Sequence, residues 1–229
     1  MTFSNTATGT SGNGGQFSNR AARVDRFIVH HAATASLSAV LSMMSTGSRQ
    51  VSASYVIKDG QVIGVVPEEK RAWTSGSAAW DGRAITVETC NSQTGDASGW
   101  PISEASYESL ARLIADCATR YGFPINRDTV IGHRELYSRY GASYATACPG
   151  GINLDRLVTL AIGYQKNQGE KKMTPEQAAL LADVANKVNA IRDGQLQPHK
   201  KWTIDQELNN KFDTLIGKLD EVIKALGKK

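Results

Sequence analysis

Residues 26–31, Arg-Phe-Ile-Val-His-His, form a near-continuous apolar run that ends in two imidazoles. A strand with one wet face alternates apolar and polar residues; this one does not, so both of its faces must be covered. From Arg26 to about Leu160 short β-rich runs alternate with helical patterns, the signature of an α/β architecture with a mixed central β-sheet flanked by helices. SYVIKDGQVIGVVP holds two runs around Lys58, Asp59 and Gly60 and predicts a hairpin. AITVETC predicts a second central strand, and TVIGH a last short one that ends at His133. After Pro101, Tyr107, Leu110, Leu113, Ile114, Cys117 and Tyr121 recur at helical spacing, with Ser103 as cap and Gly122 as stop. Cys117 lies on that apolar stripe and is expected to fill core. NLDRLVTLAIGYQ predicts the closing helix.

Composition changes at both ends of this stretch. Residues 1–22 are rich in Ser, Thr, Asn and Gly and are expected to form a flexible arm, without the apolar core or basic start of a secretory signal. Residues 23–164 are expected to form the main domain, 165–173 a polar linker, and 174–229 a small helical C-terminal region of two helices. There Leu208, Phe212, Leu215, Leu219, Val222 and Leu226 follow one another at spacings of four and three, and Leu181, Val184, Val188 and Ile191 keep the same rhythm. That seam predicts either self-association as a homo-oligomer or packing of the two helices on each other or back onto the main domain, and the basic region is expected to serve wall targeting or oligomerisation. No apolar run reaches the roughly eighteen residues that cross a bilayer, so no membrane insertion is expected. The net charge of +4 would suit a polyanionic surface such as a wall or nucleic acid, but so small an excess demands neither. Three cysteines, Cys90, Cys117 and Cys148, are too few and too irregular for a disulfide framework.

Among the four histidines, His30 and His31 end the first strand and point to opposite faces, so one at most can face a given site. Cys148 follows His133 by fifteen positions, in a turn set by Pro149, Gly150 and Gly151. Two imidazoles and a thiolate would give zinc three ligands and an open fourth position, the arrangement of a catalytic site. Ligands so far apart match no local motif, and a hydrogen-bonded histidine at a strand end remains an alternative reading. Glu88 shares a strand face with Thr86, where a lone carboxylate is costly without a task.

FIVHHAAT, VSASYVIKDGQVIGVVPE, AW followed by a glycine, AITVETCN, VIGHRE and ATACPG, taken in order, resemble the successive motifs of the zinc-dependent N-acetylmuramoyl-L-alanine amidases. That family shares its fold with the peptidoglycan-recognition proteins and includes bacteriophage endolysins. The resemblance implies a groove for a glycan-linked peptide with one zinc ion at its floor, held by His30, His133 and Cys148, with His31 as neighbour and not ligand. It also implies Glu88 as general base, Thr146 as a donor to the oxyanion, and Trp73 and Asn91 as substrate contacts; a structural ion pair with an arginine is the other reading of Glu88, and core filling that of Trp73. Bacterial peptidoglycan would be the partner, with no nucleic acid. The enzyme would stay in the host cytoplasm until released to the wall for lysis. Two features depart from the family: Ala53 and Ser54 stand where some phage members carry a catalytic tyrosine, and Thr74 follows Trp73 where many have histidine. A non-catalytic wall-binding module, and a zinc peptidase acting within the stem peptide, stay open as alternatives.

Overall fold

The computed structural model describes residues 2–169, together with residues 179, 182–186, 188, 214 and 217. In chain order its strands are β1 (Gly9–Thr10), β2 (Phe17–Asn19), β3 (Arg26–His31), β4 (Tyr55–Lys58), β5 (Gln61–Gly64), β6 (Lys70–Ala72), β7 (Ala84–Thr89) and β8 (Val130–Gly132). The helices are α1 (Leu37–Thr46), α2 (Ala78–Gly82), α3 (Glu104–Tyr121), α4 (His133–Tyr140) and α5 (Leu154–Gly169). Six strands make one mixed sheet in the order β1-β5-β4-β7-β3-β8, and β2 pairs with β6 beside it. The run at 26–31 is thus central, with parallel β7 on one side and parallel β8 on the other. The β4–β5 hairpin is antiparallel, and Asp59 takes the left-handed conformation its two-residue turn needs.

Strand alternation sorts the core into two faces. Phe27, Val29, Tyr55, Ile57, Ile85 and Val87 turn toward α3 and α5, joined by Leu110, Leu113, Ile114 and Leu157. Ile28 turns the other way, against Ala84, Ile131 and Leu136 of α4, while Val56 meets Val40 and Met44 of α1. α3 carries the expected caps: Ser103 Oγ accepts from Ser106 N at 3.1 Å, and Gly122 closes the helix at φ +72°. Cys117 is fully buried there, as core.

Three expectations need correction. Residues 1–22 do not hang free: β1 extends the sheet beside β5, β2 pairs with β6, and Ser4 and Gln16 are buried. The Ser4 amide donates to Tyr55 Oη at 2.6 Å, and Gln16 Nε2 donates to the Met44 carbonyl at 2.7 Å. An edge strand is held by backbone groups, so a sequence poor in apolar residues can still be pinned. The helix expected to end near 165 continues to Gly169, and Gln165 Nε2 donates to Thr119 Oγ1 at 3.2 Å. His133 is not the last residue of a strand: β8 stops at Gly132, and His133 opens α4.

Residues 170–229 form a second compact unit. Its described residues are all helical, Val184 and Val188 among them. Leu181, Ile191 and the whole seam from Leu208 to Leu226 lie outside the described residues. Among those described, no helix is long and apolar enough to cross a membrane.

Candidate active site

Three segments far apart in sequence deliver the three candidate ligands to one point. The penultimate residue of β3, His30, lies on the face opposite α3, almost fully buried. Gly132 lets His133 approach it, since a Cβ there would lie 2.7 Å from Pro149 Cδ and 3.0 Å from Leu154 Cδ1. Glu135 fixes the start of α4 by accepting from the Gly132 amide at 2.7 Å. The Arg134 amide donates to the Cys148 carbonyl at 2.8 Å, tying the 146–151 turn to the same helix end. The result is one donor atom each from His30, His133 and Cys148, all within 4.8 Å of one another. The two imidazole rings lie 4.5 Å apart.

The groups around these side chains select their chemical state. His133 Nε2 meets the Ser75 carbonyl at 3.1 Å and Ser143 Oγ at 3.0 Å, and the Ser143 hydroxyl itself donates to Ser75 O. Both partners therefore accept from Nε2–H, which leaves Nδ1 with its lone pair. Burial pushes the pKa of His30 well down, helped by His133 and His31, and burial also lowers His133. Both rings are held neutral, as metal ligands must be. His30 Nε2 is buried without a protein partner. Burial, with Glu88 nearby, pushes the Cys148 thiol up, so only a cation beside it would make the thiolate stable. Two neutral imidazoles, a thiol that needs a cation and an orphaned ring nitrogen fit a zinc ion with a fourth position left open.

Glu88 lies across from His30 in the β3–β7 register. Its Oε2 is enclosed with no partner, and burial raises its carboxyl to about 8. It lines a cavity of about 730 Å³ whose wall includes His31, Arg49, Arg71, Trp73 and Tyr144. Thr146 Oγ1 accepts from the Cys148 amide at 3.1 Å, which leaves its own proton to donate. Trp73 lies on the cavity wall, with its indole N–H donating to Ser18 Oγ at 3.0 Å.

Asn91 does not belong with the substrate contacts. It is fully buried; its Nδ2 donates to the Trp100 carbonyl at 2.8 Å and its Oδ1 faces His31 Nδ1 at 3.2 Å. It braces the loop after β7 from within. The His31 ring, held by Asn91 and set edge-on to Trp100, is not among the three clustered donors, while its backbone hydrogen-bonds Cys148. Thr74, in the place of the family's histidine, is buried and bonds the Ser52 carbonyl and Thr86 Oγ1, both at 2.7 Å, so it knits the loop to the sheet.

Two contributors escaped the sequence reading. Asp81, buried in α2, accepts from the Thr74 amide at 3.0 Å and from the Ser75 amide at 3.1 Å, and so holds from its N-terminal side the residue whose carbonyl orients His133. Tyr144 stands edge-on to His133, ring centroids 5.1 Å apart, against Gly76, where a Cβ would lie 3.2 Å from the tyrosine ring. No local motif marks either residue, because each acts on the site through neighbours and not as a candidate ligand itself.

A family model described as N-acetylmuramoyl-L-alanine amidase matches residues 20–151. The chain is 32% identical over 85 residues to the 1,6-anhydro-N-acetylmuramyl-L-alanine amidase AmpD of Enterobacter cloacae, a match covering 34% of this chain and 42% of that protein. It thus spans about two fifths of the length of that curated relative. Among solved structures it resembles the hydrolase AmiA of Staphylococcus aureus in complex with its ligand. That likeness has a TM-score of 0.58 at 18% identity and covers 72% of this chain and 87% of the other; it concerns the fold.

Proposed function

This chain belongs to the N-acetylmuramoyl-L-alanine amidase family, and from that premise we propose that it hydrolyses the amide between N-acetylmuramic acid and L-alanine in bacterial peptidoglycan. We assign zinc to His30, His133 and Cys148. The observation that carries this reading is the convergence of those three donors beside the partnerless carboxylate of Glu88.

Zinc, when bound, supplies Lewis acidity, polarising the scissile carbonyl and acidifying water. The charge of a bound cation would offset the burial of Glu88 and favour its carboxylate, which accepts the proton of the attacking water at its unpartnered oxygen and passes it to the departing amine. As the new C–O bond forms and the C–N bond breaks, that proton neutralises the L-alanine nitrogen. The Thr146 hydroxyl donates to the oxygen on which charge develops. Ser75 and Ser143 keep the His133 ring in one tautomer throughout.

Chelation is expected to abolish release of stem peptides from purified walls, and added zinc to restore it. Metal analysis of the Cys148→Ser variant should show most of the zinc gone, since the soft ligand is lost. Mass spectrometry of the digest decides the bond: intact stems with a free L-alanine amine support the amidase, shortened stems indicate a peptidase, and no cleavage a binding module. A protein purified without stoichiometric metal, or a serine variant with full zinc and activity, would refute the ligand assignment.

A further inference from the structure

Among the described residues of the first unit, the exposed large hydrophobic side chains are three tyrosines from one short stretch: Tyr137 (52%), Tyr140 (39%) and Tyr144 (57%). Tyr137 and Tyr140 lie four and seven positions after His133, so the spacing of α4 sets them on the stripe that starts at the candidate ligand. The Tyr140 ring stacks on Trp80 at 4.6 Å, and the Arg26 guanidinium lies 4.6 Å from the Trp80 ring. Trp80 packs against Ile28, Ala84, Ile131 and Leu136. Ile28 and His30 share a face of β3, about 7 Å apart along the strand. The aromatic row is therefore on the same face of the sheet as the ligand cluster. Tyr144 joins the two, because it also lines the cavity with Glu88.

We propose that Trp80, Tyr137, Tyr140 and Tyr144 form a subsite for the glycan strand of the polymer. The proposal rests on the amidase reading above. If the reacting amide sits at Glu88, its peptide side and its sugar side must leave in different directions. Arg49 and Arg71 on the cavity wall complement a stem peptide bearing carboxylates. The row of rings is left for the sugars. Pyranose rings offer apolar C–H faces edged by hydroxyls, which match aromatic faces whose rims stay wet. An exposed aromatic patch continuous with a reaction cavity marks a binding surface, whereas solubility alone would favour charged residues here.

The test uses the full chain and a soluble tetramer of β-1,4-linked N-acetylglucosamine, which carries no amide to cut. Titration should shift the Trp80 indole N–H resonance of the wild type. The double variant Tyr137→Ala, Tyr140→Ala should bind roughly tenfold more weakly, the scale of two lost ring contacts. The double variant Tyr137→Phe, Tyr140→Phe, which keeps the ring faces, should bind like the wild type. Melting curves of all forms check that the fold is intact. Absence of binding by the wild type in the millimolar range overturns the subsite, as does equal binding by the alanine variant or equal loss in the phenylalanine variant. A wild-type protein that binds the tetramer but frees no stem peptide would sink the amidase reading alone.

Discussion

Two glutamates, one on each side of the sheet, meet opposite fates. Glu68 is fully buried near α3 and surrounded by donors: Arg120 Nη1 at 2.6 Å and Nη2 at 2.8 Å, Tyr55 Oη at 2.6 Å and Tyr121 Oη at 2.7 Å. Burial alone would raise its pKa, yet the bonds from Arg120, then Tyr55 and Tyr121, hold it below the ordinary carboxylate range. Glu88 has an enclosed oxygen with no partner, and burial carries its pKa up to about 8. A carboxylate whose lone pairs are all engaged belongs to the structure; one left wanting has its bonding capacity in reserve for a substrate.

The largest expected effect comes from testing the reserved one. Glu88→Gln should keep the fold and the zinc while turnover drops by a factor of roughly 100 or more, the usual worth of a general base. Unchanged turnover would erase the contrast with Glu68 and point to the residues around Ala53 and Ser54. Next in size, Glu68→Gln should leave turnover near normal and lower stability by about 3 kcal/mol, since Arg120 then loses its charged partner. Because the Glu68 pKa is depressed in the folded state, its contribution is present above the unfolded value and is lost as pH falls through the folded one. Acid unfolding followed by circular dichroism should therefore be shallower in Glu68→Gln than in the wild type below the ordinary carboxylate range. Identical acid curves would mean that Glu68 carries no such linkage.

Asp81 lies between these cases and gives the smallest effect. Its bonds are satisfied like those of Glu68, but what they hold is the Ser75 carbonyl that orients a candidate ligand. Asp81→Asn should weaken zinc affinity by roughly tenfold, the lower end for supports of metal ligands, as read by competition with a chelating dye. Melting of the metal-free form separates this from a general loss of structure. If metal-free stability falls while zinc affinity holds, Asp81 belongs with Glu68 as a structural group.

How much of this was legible depends on the range over which each residue is constrained. β3, the hairpin, β7 and α3 announce themselves because their periods and caps are local, as with Ser103 and Gly122. α1 has a cap at Ser36 and a stop at Gly47, but buries only Val40 and Met44, too few to draw a stripe. The convergence of His30, His133 and Cys148 follows motif order. The conversion of His133 from strand end to helix start does not, since it hangs on a three-residue strand and the packing of Gly132 against Pro149. Asn91 adjoins the strand of Glu88, and only the packing of the Trp100 loop shows that its amide is spent inside. The Ser75–Asp81 clamp works through backbone atoms, which carry no residue identity.

The pairing of β1 with β5 has a consequence for handling the molecule. The Thr8 amide donates to the Val62 carbonyl and the Ser11 amide to Gly64, both at 2.8 Å, so the outer backbone of the hairpin is already occupied. An uncovered strand edge recruits a neighbouring copy and starts aggregation. The low-complexity opening therefore acts as a colloidal safeguard: trimming the first dozen residues as dispensable would remove the cover and leave the β5 edge open to a second copy.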